Sequence, residues 1–340
     1  MSIPRSLLSV ALAFSCVLLL VACGASSSSG PHSITLYSGQ HEQTTTLLVH
    51  AFERATRIRV HVRSGDEAEL GDQIAEEGGA SPADVFYTEN TPILEYLRER
   101  GLLAQVDAST LASVPRRYSS AEGDWVGVSA RVSALVYNTS RLQPGELPGS
   151  ILELAQPRWK GRVAFAPAET DFQPLVTSIA KLEGTATAER WLKGLAANAT
   201  TYPDNETAVT QVNDGQSEVA PINHYYWYRL RAELGAAGTH SALHYFDHGD
   251  AGELVNVSGA AVLASSPAKP AAQRFLAFLV SAEGQRLLAH SHSYEYPLRP
   301  GAPLPAGLRS LSSISPAALT PAQLGDGRAA LALEQKLGLL

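Results

Sequence analysis

From Ser33 onward, short apolar runs alternate with helical ones, and this alternation most restricts the folds open to the chain. Ser33-Ile34-Thr35-Leu36-Tyr37-Ser38 is a β-rich run closed by Gly39. Over residues 41–56, Leu47, Leu48, Ala51 and Phe52 recur at helical spacing. Residues 58–63 alternate strictly between apolar and polar, as a half-buried strand does. A helix over 67–77, a strand over 83–88 and a helix over 92–102 follow in the same style. Further strands are predicted at 134–137, 162–166, 218–222 and 259–263, with helices at 172–182, 186–195, 225–234 and 271–288. Strands that alternate with helices imply parallel βαβ units with right-handed crossovers, so the fold class is α/β. One core for 340 residues would be unusually large, and two compact lobes are expected.

Composition narrows the function. Hydrophobic residues make up 45% and charged residues 17%, which is globular rather than disordered or fibrous. Asp and Glu number 33 against 26 Lys and Arg, a formal charge of -7, and no basic block stands out. Nucleic acid is therefore excluded as a partner, because phosphate contacts need concentrated Lys and Arg.

The N-terminus carries Arg5 and then an almost unbroken apolar run over residues 7–22, the pattern of a secretory signal. The run is shorter than the ~20 residues a bilayer span needs. Leu20-Val21-Ala22-Cys23 resembles the lipobox of bacterial lipoproteins, which implies removal of residues 1–22 and acylation of Cys23. The small polar stretch after it makes 23–32 an acylated Cys and flexible tether. The chain left has 340 - 22 = 318 residues and a side-chain charge of -7 - 1 = -8, since Arg5 leaves. Cys16 leaves too, so the folded body has no disulfide, thiolate metal site or Cys nucleophile. Any metal must be held by oxygen and nitrogen.

Ligands of open α/β sheets collect beyond the carboxyl ends of strands. Four such places carry strong ligand types: Gln40-His41-Glu42, Glu89-Asn90, Glu169-Thr170-Asp171 and Asn223-His224-Tyr225-Tyr226. Each alone has an ordinary reading. A His at a helix start is commonly a cap, a Glu there favours the helix dipole, and paired tyrosines usually pack. Together they suit a hard, highly charged cation, which can strip the proton from a phenol whose pKa is otherwise about 10. Two phenolates and one carboxylate supply -3, matching Fe(III) beside a neutral imidazole. Zinc would favour more His or Cys.

Tyr37-Ser38-Gly39-Gln40-His41, the run Ser81 to Glu89, and Ile222-Asn223-His224-Tyr225-Tyr226-Trp227 resemble the ferric-ion-binding periplasmic proteins. So do Trp191-Leu192-Lys193-Gly194-Leu195, Ser258-Gly259-Ala260-Ala261-Val262-Leu263 and Glu295-Tyr296-Pro297-Leu298, and the resemblance runs from about residue 33 to the C-terminus. It implies a two-lobed, hinged periplasmic-binding-protein fold of type II-like form, each lobe a mixed sheet flanked by helices. The N-terminal lobe would comprise 33–130 plus 256–306, and the C-terminal lobe 131–255 plus 307–340. Hinge strands are expected near 128–133 and 254–258. It further implies a monomeric substrate-binding component of an iron ABC transporter, exported and lipid-anchored at the outer face of the cytoplasmic membrane or in the periplasm. Its partners would be a membrane permease and an ATPase. His41, Glu89, Tyr225 and Tyr226 fall on the family's iron ligands, and Asn90, Asn205 and Asn223 near its anion-contacting positions. One departure stands out. Where the family has a small neutral run that offers donors to phosphate, this chain has Glu169-Thr170-Asp171. Two carboxylates would repel phosphate, so another companion anion, or direct ligation by Glu169 or Asp171, is expected unless both carboxylates face solvent.

Two other classes compete. A binding protein for another small solute of the same fold, such as a polyamine, thiamine or phosphonate, differs only in its site. An enzyme is disfavoured, because the sequence holds no G-x-S-x-G, H-E-x-x-H or P-loop pattern.

Overall fold

The computed structural model describes residues 33–314 and 316–340. The signal segment 1–22, Cys23 and the tether 23–32 lie outside the described residues. In chain order the regular elements are β1 (Ser33–Ser38), α1 (Glu42–Thr56), β2 (Arg59–Ser64), α2 (Glu67–Glu77), β3 (Val85–Thr88), α3 (Pro92–Glu99) and α4 (Ala108–Leu111). The chain continues with β4 (Val126–Asn138), β5 (Val163–Phe165), α5 (Phe172–Glu183), α6 (Thr185–Asn198), β6 (Ala199–Thr201), α7 (Asn205–Asn213), β7 (Val219–Asn223) and α8 (His224–Gly238). It closes with β8 (Ser241–His244), β9 (Val255–Val262), α9 (Lys269–Leu279), α10 (Ala282–Ala289), β10 (Tyr296–Pro297) and α11 (Arg328–Lys336).

The strands follow the order β2-β1-β3-β9-β4-β7-β5-β6, with β8 and β10 also paired to β4. β1 runs parallel to β2 and β3, and β5 runs parallel to β6 and β7. β9 and β4 run antiparallel to their neighbours, which alternation alone does not reveal. β4 makes two lobes out of this path. Up to Val132 it pairs with β9, and from Ser133 it pairs with β7, with β8 joining at Leu135. The strand therefore crosses from one lobe to the other at Val132–Ser133, opposite Leu254 and Val255.

Each lobe packs its own interior. In the first, Leu36, Phe52, Val85, Val257, Phe275 and Leu279 are buried together, and Phe52 meets Phe275 edge to face at 5.0 Å. In the second, Trp159, Phe165, Ile179, Trp191, Leu192 and Val219 are buried together. The expected helix over 271–288 is broken in two. Ser281 adopts an extended conformation and its hydroxyl caps α10 by accepting from Gly284 N at 3.1 Å, so α9 ends at Leu279 and the apolar spacing continues in a separate helix.

Two lobes built this way bring strand ends together. The carboxyl ends of β1 and β3, the loop after β5 and the junction of β7 with α8 meet near the crossing strand. At the end of β1 the backbone runs so close to α2 that a Cβ on Gly39 would lie 2.4 Å from Glu67 Cβ. Only glycine lets the chain turn there into Gln40 and His41. Among the described residues, no helix is long and apolar enough to cross a membrane.

Candidate metal centre

His41 caps the N-terminus of α1, directly beyond β1. Its Nδ1 contacts Glu89 Oε1 and lies 2.8 Å from Gln40 Oε1. With the proton held on Nδ1, the Nε2 lone pair of the neutral ring is left for a metal. Burial would lower the His41 pKa, but the contact with Glu89 outweighs it and the net shift is upward. Burial pushes the Glu89 carboxyl up despite the imidazole beside it.

Tyr225 and Tyr226 open α8 directly beyond β7, and both are buried. Their rings lie 4.3 Å apart, tilted by 39°. Both hydroxyls donate to one oxygen, Asp171 Oδ2, at 2.6 Å from Tyr225 and 2.9 Å from Tyr226. Burial, and then the Asp171 charge, hold both phenols well above their ordinary pKa. The Tyr225 ring meets the His41 ring edge-on, 5.5 Å between centroids. The structure thus brings together all four residues of the expected ligand set, with a fifth donor, Asp171, between the phenols and the opposite lobe.

Asp171 does not face solvent. Its second oxygen, Oδ1, accepts from Asn90 Nδ2 at 3.3 Å and lies 3.7 Å from Arg131 Nη1. Burial would raise its pKa, but the Arg131 charge and the two phenol hydrogen bonds outweigh burial and hold it below the usual carboxylate value. Arg131 is fully buried on β4, one residue before the crossing. Its Nη2 donates to Glu295 Oε1 at 2.7 Å and to Ser258 Oγ at 2.6 Å, and its Nη1 donates to the Glu89 carbonyl and to Asn90 Oδ1. Ser129 Oγ, two residues earlier on β4, reaches Glu295 Oε2 at 2.7 Å. Asn90 is itself held by Glu67, donating to it from Nδ2 at 2.6 Å and from N at 2.9 Å.

The remaining sequence candidates divide. Asn205 and Asn223 are buried and line a water-sized hollow with Ser133 and Asp171, without bonding to either phenol. Thr170 lines a cavity of about 310 Å³ together with Glu67 and Asn90. Glu169 is half-buried, and burial together with Asp171 and Glu206 raises its pKa to about 7. His224, inside the tyrosine motif, is no part of the cluster. Its Nδ1 accepts from Val132 N at 3.1 Å and its Nε2 donates to the Tyr294 carbonyl at 2.8 Å, which ties α8 to the crossing strand. Arg131, Glu295 and Glu67 carry no role in the sequence reading. A single Arg in the strand Val126–Asn138, whose other residues are apolar, small or neutral, is the signal that points to the first of them.

Among the described residues, no three His, Cys, Asp or Glu side chains gather into a metal site. A cation at this cluster would need the phenol oxygens. His41 Nε2, Glu89, Asp171 and the two phenols form an oxygen-rich set with one nitrogen, which suits a hard trivalent ion.

A model for bacterial extracellular solute-binding proteins matches residues 80–310. The chain belongs to that family. The Fe(3+)-binding periplasmic protein of Serratia marcescens is 38% identical over 322 residues, covering 95% of each chain. The major ferric iron-binding protein of Neisseria meningitidis serogroup B is 42% identical over 269 residues, 78% of this chain and 81% of that one. The crystal structure of iron-bound HitA from Pseudomonas aeruginosa matches with a TM-score of 0.86 at 43% identity, covering 91% of this chain and 100% of the other. The two-lobed fold of this solute-binding family is therefore shared by sequence and by structure.

The raised carboxyls of the site give the metal-free chain a signed pH dependence. Glu169 and Glu67 both move from 4.5 to about 7, so the folded chain keeps protons that the unfolded chain has already lost. Stability contributed this way is full below about pH 4.5, declines as pH rises, and levels off above about pH 7. Glu169→Gln should flatten part of that decline, because it removes the titrating group whose pKa burial and Asp171 raise. Urea unfolding at about pH 5 and about pH 7.5 reads the slope, and an unchanged slope in the variant would contradict the assignment.

Proposed function

We propose that this protein captures ferric iron outside the cytoplasmic membrane and delivers it to an ABC-type iron importer. The observation that carries the reading is the convergence of two buried phenols on Asp171, with His41 5.5 Å from one of the rings and Glu89 in contact with His41. The relatives named for ferric iron match over most of both chains, which supports the same cargo here. His41 Nε2, Glu89, Asp171, Tyr225 and Tyr226 are the proposed ligands.

In the metal-free chain both phenols are protonated and directed at one carboxylate. Iron displaces the two protons, so loading releases acid and weakens as pH falls. Two phenolates with Glu89 and Asp171 supply -4 against +3, and Arg131, 3.7 Å from Asp171 and also paired with Glu295, stands beside the surplus charge. No phosphate is then required, and Asp171 stands where an external anion would add its charge. Asn90 orients Asp171, and Asn205 and Asn223 line the hollow beside it.

The lobes are taken as 33–130 plus 256–306 and 131–255 plus 307–340, with the first reaching on to Val132, where β4 crosses, and with Ile314 packed in its core. Iron bound by donors from both lobes favours the closed form, because only that form satisfies all of them. The protein acts as a monomeric carrier rather than an enzyme, serving a permease and an ATPase. Cys23 is the acylated residue that anchors it after export.

A ferric titration in phosphate-free buffer tests the site. Wild type should develop a visible phenolate-to-iron band, and Tyr225→Phe or Tyr226→Phe should weaken binding at least about 100-fold. Asp171→Asn should weaken it as well and make affinity respond to added phosphate, to which wild type stays indifferent. Equal affinity in the tyrosine variants would reduce the reading to a binder of another small solute. Anchoring is checked separately by fractionation: Cys23→Ser should move the chain from the membrane to the soluble fraction, and its retention in the membrane would remove Cys23 as the anchor.

A further inference from the structure

The sheet begins at an exposed basic corner in an otherwise acidic molecule. His50 and Arg54 on α1, Arg57 after it and Arg59 at the start of β2 are all exposed. Together with Glu53 and Ile58 they line a shallow surface hollow of about 350 Å³. Glu53, the one acid there, turns its Oε1 to the backbone N–H of Val60 at 2.9 Å. Among the described residues, Arg54, Arg57 and Arg59 make no ion pair and no side-chain hydrogen bond. Arg57 also occupies a left-handed backbone position, φ 64, which glycine would fill without strain. A long basic side chain is thus held at the corner where a helix end usually carries none.

We propose that this corner is a docking face for the anionic headgroups of the membrane to which the chain is tethered. The position of the tether carries the argument. Ser33, the first described residue, pairs in register with Arg59, so the chain leads out of the fold beside the guanidinium groups. Residues 23–32 can span at most about 35 Å even when fully extended, so a chain acylated at Cys23 keeps this corner near the bilayer. The rest of the chain supplies the contrast. With a mature side-chain charge of -8, the other surfaces are repelled by anionic lipid, and the unpaired arginines select the orientation.

The orientation has a consequence for capture. α1 has 15 residues, so the basic corner lies about 22 Å along the helix from His41. β1 likewise starts at the corner and ends at the cleft. Docking on lipid therefore turns the iron cleft away from the membrane and toward the medium that supplies the ion.

The inference draws its orientation from the reading of Cys23 as anchor, but the test does not depend on acylation. The full secreted chain carrying Cys23→Ser is mixed with vesicles of phosphatidylglycerol and phosphatidylcholine, or of phosphatidylcholine alone, and bound protein is measured by sedimentation. Binding is expected only to the anionic vesicles and should fall with added salt. Arg54→Gln, Arg57→Gln and Arg59→Gln combined should lower it on the order of 100-fold, at about five-fold per guanidinium near the surface. The corresponding triple Lys variant should keep it, and ferric titration of both variants should match wild type, which separates lost charge from lost fold. Equal binding to both vesicle types, or undiminished binding of the triple Gln variant with its ferric site intact, would overturn the proposal.

Discussion

Two phenols donating to a single buried carboxylate oxygen is the contact on which the site depends. Asp171 can remain ionised there because Arg131 stands behind it and the hydroxyls of Tyr225 and Tyr226 stand in front. A buried charge without such partners would cost several kcal/mol. Arg131 is in turn matched by Glu295 at 2.7 Å, and Glu295 is held by Ser129. The chain of partners leads from the second lobe through the crossing strand into the first. Breaking one member leaves an uncompensated charge, so these residues position the lobes as well as the site.

The same arrangement explains how one site serves two states. Without metal, the phenol protons neutralise what would otherwise be a cluster of buried negative oxygens. In the proposed loaded state a trivalent ion would replace those protons and satisfy the same atoms, so the polar groups would have partners in either state. On the proposed reading, lobe closure would need no separate device, since an ion shared by donors from both sides would favour the closed form. His224, buried and with its pKa lowered to about 4 by that burial, stays neutral and links α8 to the backbone of β4 at the crossing. The helix that carries the phenols is thereby fixed to the strand about which the lobes are joined.

Much of this was legible in the sequence. The periodicity of 33–102 marks β1, α1, β2, α2, β3 and α3 to within a few residues, although β2 is an exposed edge strand rather than the half-buried one its alternation suggests, with Val62 43% exposed. One or two side chains from each strand-end motif lie together, and the triplet Glu169-Thr170-Asp171 supplies a buried acceptor for the phenols through its last residue. What local pattern could not supply was partnership across the chain. The antiparallel course of β9 depends on pairing with β3 and β4, more than a hundred residues away in sequence. β4 extends well beyond 134–137 because Val126, Val128, Ala130 and Val132 alternate with Gly127, Ser129, Arg131 and Ser133, a period-two pattern whose polar half serves the site rather than solvent. Arg131 and Glu295 are 164 residues apart, and no short motif announces such a pair.

The most direct measurement is a crystal structure of the ferric-loaded chain grown from phosphate buffer. The account predicts iron bonded to His41 Nε2, Glu89, Asp171 and the oxygens of Tyr225 and Tyr226, with no phosphate on the metal. Phosphate bound to iron with Asp171 turned aside, or an ion that leaves either phenol unbound, would contradict it.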